Sequence, residues 1–246
     1  DEEISNDSSL FNPSIYTLSP FSSDDIILAP FSSGTTGHPK CVLLSHENYI
    51  TATESLKCGL FNKLGEERRS SIAFLPFYHA SGFWALLFML YQGHRSIIMS
   101  HFNIGRMIEL VEKHEISILN VVPSIISALL RNPAKMTSLR TLLCGSAPLG
   151  KELSEAIMSK YPHIDHLIQG YGMTEVVVLS HATPPREKQR YGSCGRLLPG
   201  FEAKIVDENG EEVAKLESGQ LYLRSRSIMK SYLRDGSPLD NEGWLP

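Results

Sequence analysis

Between Phe31 and Lys40 the chain reads Phe-Ser-Ser-Gly-Thr-Thr-Gly-His-Pro-Lys, a short run of hydroxyls, glycines and one lysine. Ordering such a loop costs backbone entropy, and Gly34 and Gly37 raise that cost. A polyanionic ligand offsets it. Backbone N–H groups and the hydroxyls of Ser32, Ser33, Thr35 and Thr36 can donate to phosphate oxygens, and Lys40 supplies positive charge. The spacing is not that of a Walker A loop, which needs four residues between its first glycine and a Gly-Lys-Ser/Thr. Here His38 and Pro39 separate Gly37 from Lys40. The plain alternative is a polar surface turn. Against it stand the apolar runs Ile26-Ile27-Leu28-Ala29 and Cys41-Val42-Leu43-Leu44 on either side. Both read as buried strands, and a loop held between two strands favours the phosphate role.

Three further segments stand out along the chain. They are Leu75-Pro76-Phe77-Tyr78-His79, Gly145-Ser146-Ala147-Pro148-Leu149 and Gln169-Gly170-Tyr171-Gly172-Met173-Thr174-Glu175. In this order and at these intervals, the four segments resemble the signatures of the AMP-forming adenylating enzymes. That family includes acyl-CoA synthetases, 4-coumarate–CoA ligases, beetle luciferases and peptide-synthetase adenylation domains. The similarity runs from about residue 24 to the end of the chain.

The resemblance implies that the loop from Ser32 to Lys40 grips the β- and γ-phosphates of ATP. It places Thr174 on the α-phosphate and makes Glu175 a ligand for Mg²⁺, a hard ion that suits a carboxylate. His79 becomes a gate between a carboxylate pocket and the nucleotide. Gly145, Ser146, Ala147 and Pro148 form a wall for adenine, Tyr171 stacks on the purine, and Gln169, Gly170, Gly172 and Met173 complete the nucleotide segment. Each position also has a bland reading. Glu175 could be a solvated acid at a helix start, His79 a turn residue, the 145–148 segment a plain β-turn, Tyr171 a half-buried tyrosine, and Lys40 a strand-edge lysine.

Two positions depart from the family pattern. Cys41 follows Lys40 where most family loops have glycine, which would distort the loop if that position needs an unusual backbone angle. His101 stands where plant coumarate ligases carry a lysine near the thiol channel, so CoA is the less secure of the expected ligands. The resemblance also implies that the chain is a fragment of the family's large N-terminal domain. The ribose-binding aspartate and the small lid domain with its catalytic lysine are then expected beyond Pro246.

These segments need elements to hold them. From residue 26 to 175 the pattern alternates between strand and helix. Ser45 is placed to cap a helix through Lys57. Residues 71–77 read as a strand ending at the histidine loop, and Ile97-Ile98 as a short strand. Ile104, Met107, Ile108 and Val111 recur at helical spacing. Residues 116–122 form a strand stopped by Pro123, with Ser124 capping a helix through Arg131. Residues 139–143 form a strand, 151–160 a helix and 166–168 a strand. The apolar run 83–91 reads as a buried helix beside a pocket. Alternation of this kind predicts an α/β fold with a largely parallel sheet flanked by helices. In such sheets ligands sit beyond the carboxyl ends of the strands, where three of the four segments begin. Past residue 180 the texture changes to strands at 201–206 and 220–224, with a tight turn at Asp207-Glu208-Asn209-Gly210. The expected organisation is a flexible segment 1–23, an α/β nucleotide-binding subdomain 24–180 and a small β-rich subdomain 181–246.

Composition narrows the classes. The residues are 42% hydrophobic and 20% charged, as in ordinary globular proteins, and the net charge of −4 offers no basic footprint for nucleic acid. No apolar run approaches the ~18 residues of a membrane span. Cys41, Cys58, Cys144 and Cys194 form no Cys-x-x-Cys pair and fit reduced thiols in an intracellular protein, with cytoplasm and peroxisome not distinguished. Hydrolase signatures of the Gly-x-Ser-x-Gly or His-Glu-x-x-His type are missing.

The leading expectation is activation of a small carboxylic acid, apolar or aromatic, by ATP and Mg²⁺, followed by transfer to CoA. The competitors are an adenylating domain with another acceptor, a luciferase-like oxygenase, and a nucleotide-binding module without turnover.

Overall fold

The computed structural model describes residues 20–32, 38–65, 69–132, 134–185, 187 and 190–246. Most of the segment expected to be flexible, residues 1–19, lies outside these. The first strands are β1 (Ile26–Leu28), β2 (Phe31–Ser32) and β3 (Lys40–Ser45). β3 pairs antiparallel with both β1 and β2, bringing Ser32 opposite Lys40. Val42 and Leu44 of β3 are fully buried, whereas Ile26 and Ile27 are 44% and 38% exposed. So only β3 is the buried strand expected there. β1 lies at a sheet edge and is paired on β3 alone.

Ser45 caps α1 (His46–Gly59) in a reciprocal box. The Asn48 amide donates to Ser45 Oγ at 3.3 Å, and the Ser45 amide donates to Asn48 Oδ1 at 2.9 Å. Two orphan N–H groups of the helix start are thereby satisfied.

The alternating region follows as β4 (Ser70–Ala73), α2 (Ala80–Tyr91), β5 (Arg95–Ile98), α3 (Ile104–Lys113), β6 (Ile118–Val121), α4 (Pro123–Arg131), β7 (Thr141–Cys144), α5 (Lys151–Lys160) and β8 (His166–Tyr171). The strands stand in the order β5-β4-β6-β7-β8, all parallel. Parallel neighbours need long crossovers, which the helices provide. Side-chain alternation buries both faces. Ile118, Leu143 and Ile168 join Leu56, Trp84 and Phe88 in one core. Leu119, Leu142 and Leu167 join Met107, Leu129 and Ile157 in the other.

Three local expectations are corrected. β4 ends at Ala73 rather than at residue 77, and Phe77 and Tyr78 are 41% and 85% exposed. Pro76 has no N–H for a ladder, and its carbonyl instead accepts from the His79 amide in a turn, at 3.0 Å. Ser124 does not cap α4. Val122 holds that position without a side-chain bond, because Pro123 at the helix start has no N–H to satisfy. α2 is buried on one side only: Trp84, Phe88 and Met89 are inside, and Leu90 and Tyr91 are exposed.

Beyond residue 180 the chain serves three sheets. β9 (His181–Ala182) and β10 (Arg196–Leu197) extend the central sheet antiparallel from β8, giving it seven strands. β11 (Glu202–Val206) and β12 (Gln220–Arg224) pair with each other. β13 (Ser231–Tyr232) returns to β3, setting Tyr232 opposite Val42. Among the described residues no helix follows residue 180, and none is long and apolar enough to cross a membrane.

Candidate functional site

Parallel strands end on a common edge, and the turns leaving β4, β6, β7 and β8 meet there. Lys40, His79, Gly145, Ser146, Thr174 and Glu175 line one cavity of about 650 Å³. Ser32, Tyr171, Gly172 and Met173 line it too. Segments more than a hundred residues apart in the chain thus share a cleft of ordinary ligand-pocket size, about 300–1,000 Å³. Four expected residues are off its wall. Ala147 and Pro148 are exposed on the turn past Ser146, and Gln169 and Gly170 sit inside β8 between its neighbours. Ser33, Gly34, Thr35, Thr36 and Gly37 lie outside the described residues.

Local chemistry fixes each wall. His79 takes the N-cap position of α2. Its Nδ1 accepts from the Ser81 amide at 3.2 Å and lies 2.7 Å from the Ser81 hydroxyl. With Nδ1 as acceptor, the neutral ring carries its proton on Nε2. Gly172 lets the β8 turn close on itself: a Cβ there would stand 1.9 Å from the Val178 carbonyl oxygen. The turn continues as a short 3₁₀ segment, Thr174–Val176, ending at Val177 with φ of +71°. A β-branched residue in that region is strained by about 1–3 kcal/mol. Val177 is buried at 1% exposure, so packing holds it there.

Glu175 is 8% exposed and makes no ion pair among the described residues. Its Oε1 accepts from the Tyr232 hydroxyl at 3.0 Å. Burial, reinforced by the Glu175 charge, pushes the Tyr232 phenol well above its ordinary range, so it remains a donor. The Lys40 ammonium sits over the same ring, 4.8 Å from its centre. Opposite, Tyr171 meets His181 edge-on at 5.8 Å, and burial lowers the His181 pKa.

A buried carboxylate without a cationic partner is costly unless a cation joins it. Among the described residues no cluster of three His, Cys, Asp or Glu could enclose a metal. One carboxylate is nevertheless enough for Mg²⁺, which is commonly held by one or two carboxylates plus substrate phosphates. Three buried polar side-chain atoms lack partners among the described residues: Ser32 Oγ, Trp84 Nε1 and Tyr49 Oη, the first two on cavity-lining residues. Such orphans are rare in proteins and point to a ligand or water.

The departures are mild in structure. Cys41 is an ordinary β3 residue opposite Phe31 and is not in the left-handed region. His101 is exposed beside Ser100 and away from the cavity.

Sequence reasoning missed several lining residues. Tyr232, in Met-Lys-Ser-Tyr, offered no signal, because its role depends on β13 returning to β3. Asn120, Val121 and Val122 were readable only as a strand end. Trp84 lay within the apolar run expected beside a pocket, and that proximity was legible.

The chain is similar to known proteins in sequence and in fold. The family model described as "AMP-binding enzyme" matches residues 1–233. "4-coumarate--CoA ligase-like 9" of Arabidopsis thaliana is 36% identical over 225 residues, covering 87% of this chain and 40% of that protein. "Probable CoA ligase CCL5" of Humulus lupulus is 37% identical over 235 residues, covering 90% and 42%. Among solved structures, the O-succinylbenzoate coenzyme A synthetase of Bacillus subtilis, in complex with ATP and magnesium ion, superposes with a TM-score of 0.79 at 25% identity. That match covers 91% of this chain and 47% of the synthetase. The chain therefore spans less than half the length of these relatives. The family model spans most of the chain, and the α/β fold brings Ser32, Lys40, His79, Gly145 and Thr174 to one cleft: the chain belongs to the AMP-binding enzyme family.

Proposed function

We propose that the cleft binds ATP and activates a carboxylic acid as an acyl-adenylate, with CoA as the subsequent acceptor. The observation that carries this reading is the meeting of Lys40, Thr174 and Glu175 on one wall system with His79 and the apolar side of α2. A carboxylate oxygen attacks the α-phosphorus, and the bond from that phosphorus to pyrophosphate breaks. A thiol sulfur then attacks the acyl carbon, loses its proton, and AMP departs with the former carboxylate oxygen. Negative charge builds on the phosphates in the first step, so positioning and charge stabilisation supply most of the catalysis.

Lys40 and the loop before it hold the β- and γ-phosphates. The Ser32 hydroxyl, buried without a partner, finds its acceptor there. Thr174 faces the α-phosphate. Mg²⁺, when bound, neutralises phosphate charge, and Glu175 is the residue that holds it. Gly145 and Ser146 form the adenine wall, and Tyr171, 37% exposed, offers a ring face to the purine. The acid lies between His79 and the apolar lining of Leu75, Trp84, Ala85 and Leu143, which suits an apolar or aromatic acid. His79, fixed by its cap bonds, divides the two compartments.

CoA is supported by the relatives' names and by the chemistry of the adenylate; no residue described above is assigned to it. The test is exchange of labelled pyrophosphate into ATP by the chain joined to a lid domain that carries the family's catalytic lysine, across a panel of arylpropenoic and fatty acids. Acid-dependent exchange is expected. ATP binding without exchange under any acid would leave a nucleotide-binding module instead.

A further inference from the structure

Tyr232 touches both charged walls of the cavity from outside the four recognised segments. Its ring lies under the Lys40 ammonium at 4.8 Å, and its hydroxyl donates to Glu175 Oε1 at 3.0 Å. It is also rigidly held. β13 pairs with β3 beside Lys40, the Lys230 amide donates to the Leu43 carbonyl at 3.0 Å, and the Leu233 amide donates to the Cys41 carbonyl at 2.9 Å. Three residues upstream, the Met229 amide donates to the Glu175 carbonyl at 2.8 Å. One strap of chain, residues 229–233, therefore fixes the strand that carries Lys40 and the turn that carries Glu175.

We propose that Tyr232 is a positioning residue for both charges: its ring orients the Lys40 ammonium toward the phosphates and its hydroxyl orients Glu175 toward the metal. This rests on reading the cleft as a metal–nucleotide site. A cation within about 6 Å of a tyrosine ring centre is attracted by the ring face, which restricts an otherwise flexible side chain. A carboxylate that accepts from a phenol on Oε1 has its plane set and presents Oε2, which no described residue hydrogen-bonds. Outer partners of this kind orient metal ligands, and losing one typically costs about 10–100-fold in metal affinity or activity.

The two functions separate by substitution. Tyr232→Phe keeps the ring and removes the hydroxyl, whereas Tyr232→Leu removes both. ATP is titrated calorimetrically into the full chain, in EDTA and then in excess Mg²⁺. The ratio of the two dissociation constants reads the metal's contribution. The Phe variant should bind metal-free ATP within about twofold of wild type but lose about tenfold of the Mg²⁺ advantage. The Leu variant should lose that advantage and also bind metal-free ATP about two- to fivefold more weakly, the size of one cation–π contact.

A Phe variant with the wild-type ratio overturns the proposal. So does a Phe variant that weakens metal-free binding as much as Leu does. A wild-type ratio of one removes the metal–nucleotide reading itself, and the proposal with it. Wild-type metal coupling with an unaffected Phe variant removes the proposal alone. Should the Leu variant fail to fold, the Phe arm decides.

Discussion

The side-chain amide of Asn48 donates to the carbonyl of Ile228 at 2.7 Å, across 180 residues of sequence. It donates to the Arg226 carbonyl as well, at 2.8 Å, and its Oδ1 closes the cap of α1. Asn48 is 1% exposed, so both carbonyls would lose their partner on truncation. Asn48→Ala should destabilise the protein by about 2–4 kcal/mol, combining a lost cap with unsatisfied buried groups. Urea denaturation measures this directly. A loss under about 0.5 kcal/mol, the range of ordinary surface substitutions, would show that the link is not structural.

Gly172 should be intolerant of any side chain. An alanine Cβ would sit 1.9 Å from the Val178 oxygen and 2.6 Å from Leu179 Cα, both backbone atoms that cannot swing aside. Gly172→Ala should cost about 1–3 kcal/mol by overpacking and shift the turn that carries Thr174 and Glu175. The variant's denaturation midpoint and its ATP affinity should fall together. Wild-type values for both would contradict the closed turn.

His181 contributes to acid sensitivity. Burial disfavours its charged form, so its folded pKa lies below the ordinary value of about 6.5. The unfolded chain then takes up a proton first. Stability from this residue is full above about pH 6.5 and is lost as pH falls through the folded pKa. His181→Gln should flatten the stability–pH curve on the acid side of that value. Parallel wild-type and variant curves would contradict the burial argument.

The thiols should differ in reactivity. Cys58 is exposed, whereas Cys144 is buried at the end of β7 and burial pushes its thiol up to about 12. Since the thiolate is the nucleophile, iodoacetamide at mildly alkaline pH should label Cys58 and leave Cys144 untouched until the protein unfolds. Native-state labelling of Cys144, located by peptide mass, would mean that the β7 end opens.

Much of the fold was legible because local signals and burial agreed. The helical spacing through Met107 and Val111 and the Ser45 cap sit where expected. Where they disagreed, tertiary context won. The apolar Ile26-Ile27 pair lies on an exposed edge, and Pro76 ended β4 early although Phe77 continued the apolar run. The site was half legible. Lys40, Gly145 and Thr174 belong to short segments rich in glycine and hydroxyls, which mark backbone near a ligand. Tyr232 and Asn120 carry no such mark, and only sheet pairing brings them to the cleft.

The central claim is that the cleft lined by Lys40, Thr174 and Glu175 holds the triphosphate. Calorimetric titration of Mg²⁺·ATP into the wild-type full chain and into Lys40→Ala tests it most directly. The account predicts one bound ATP per chain, with affinity falling about ten- to a hundredfold on loss of a charged phosphate contact. Equal affinity in the two proteins would contradict it.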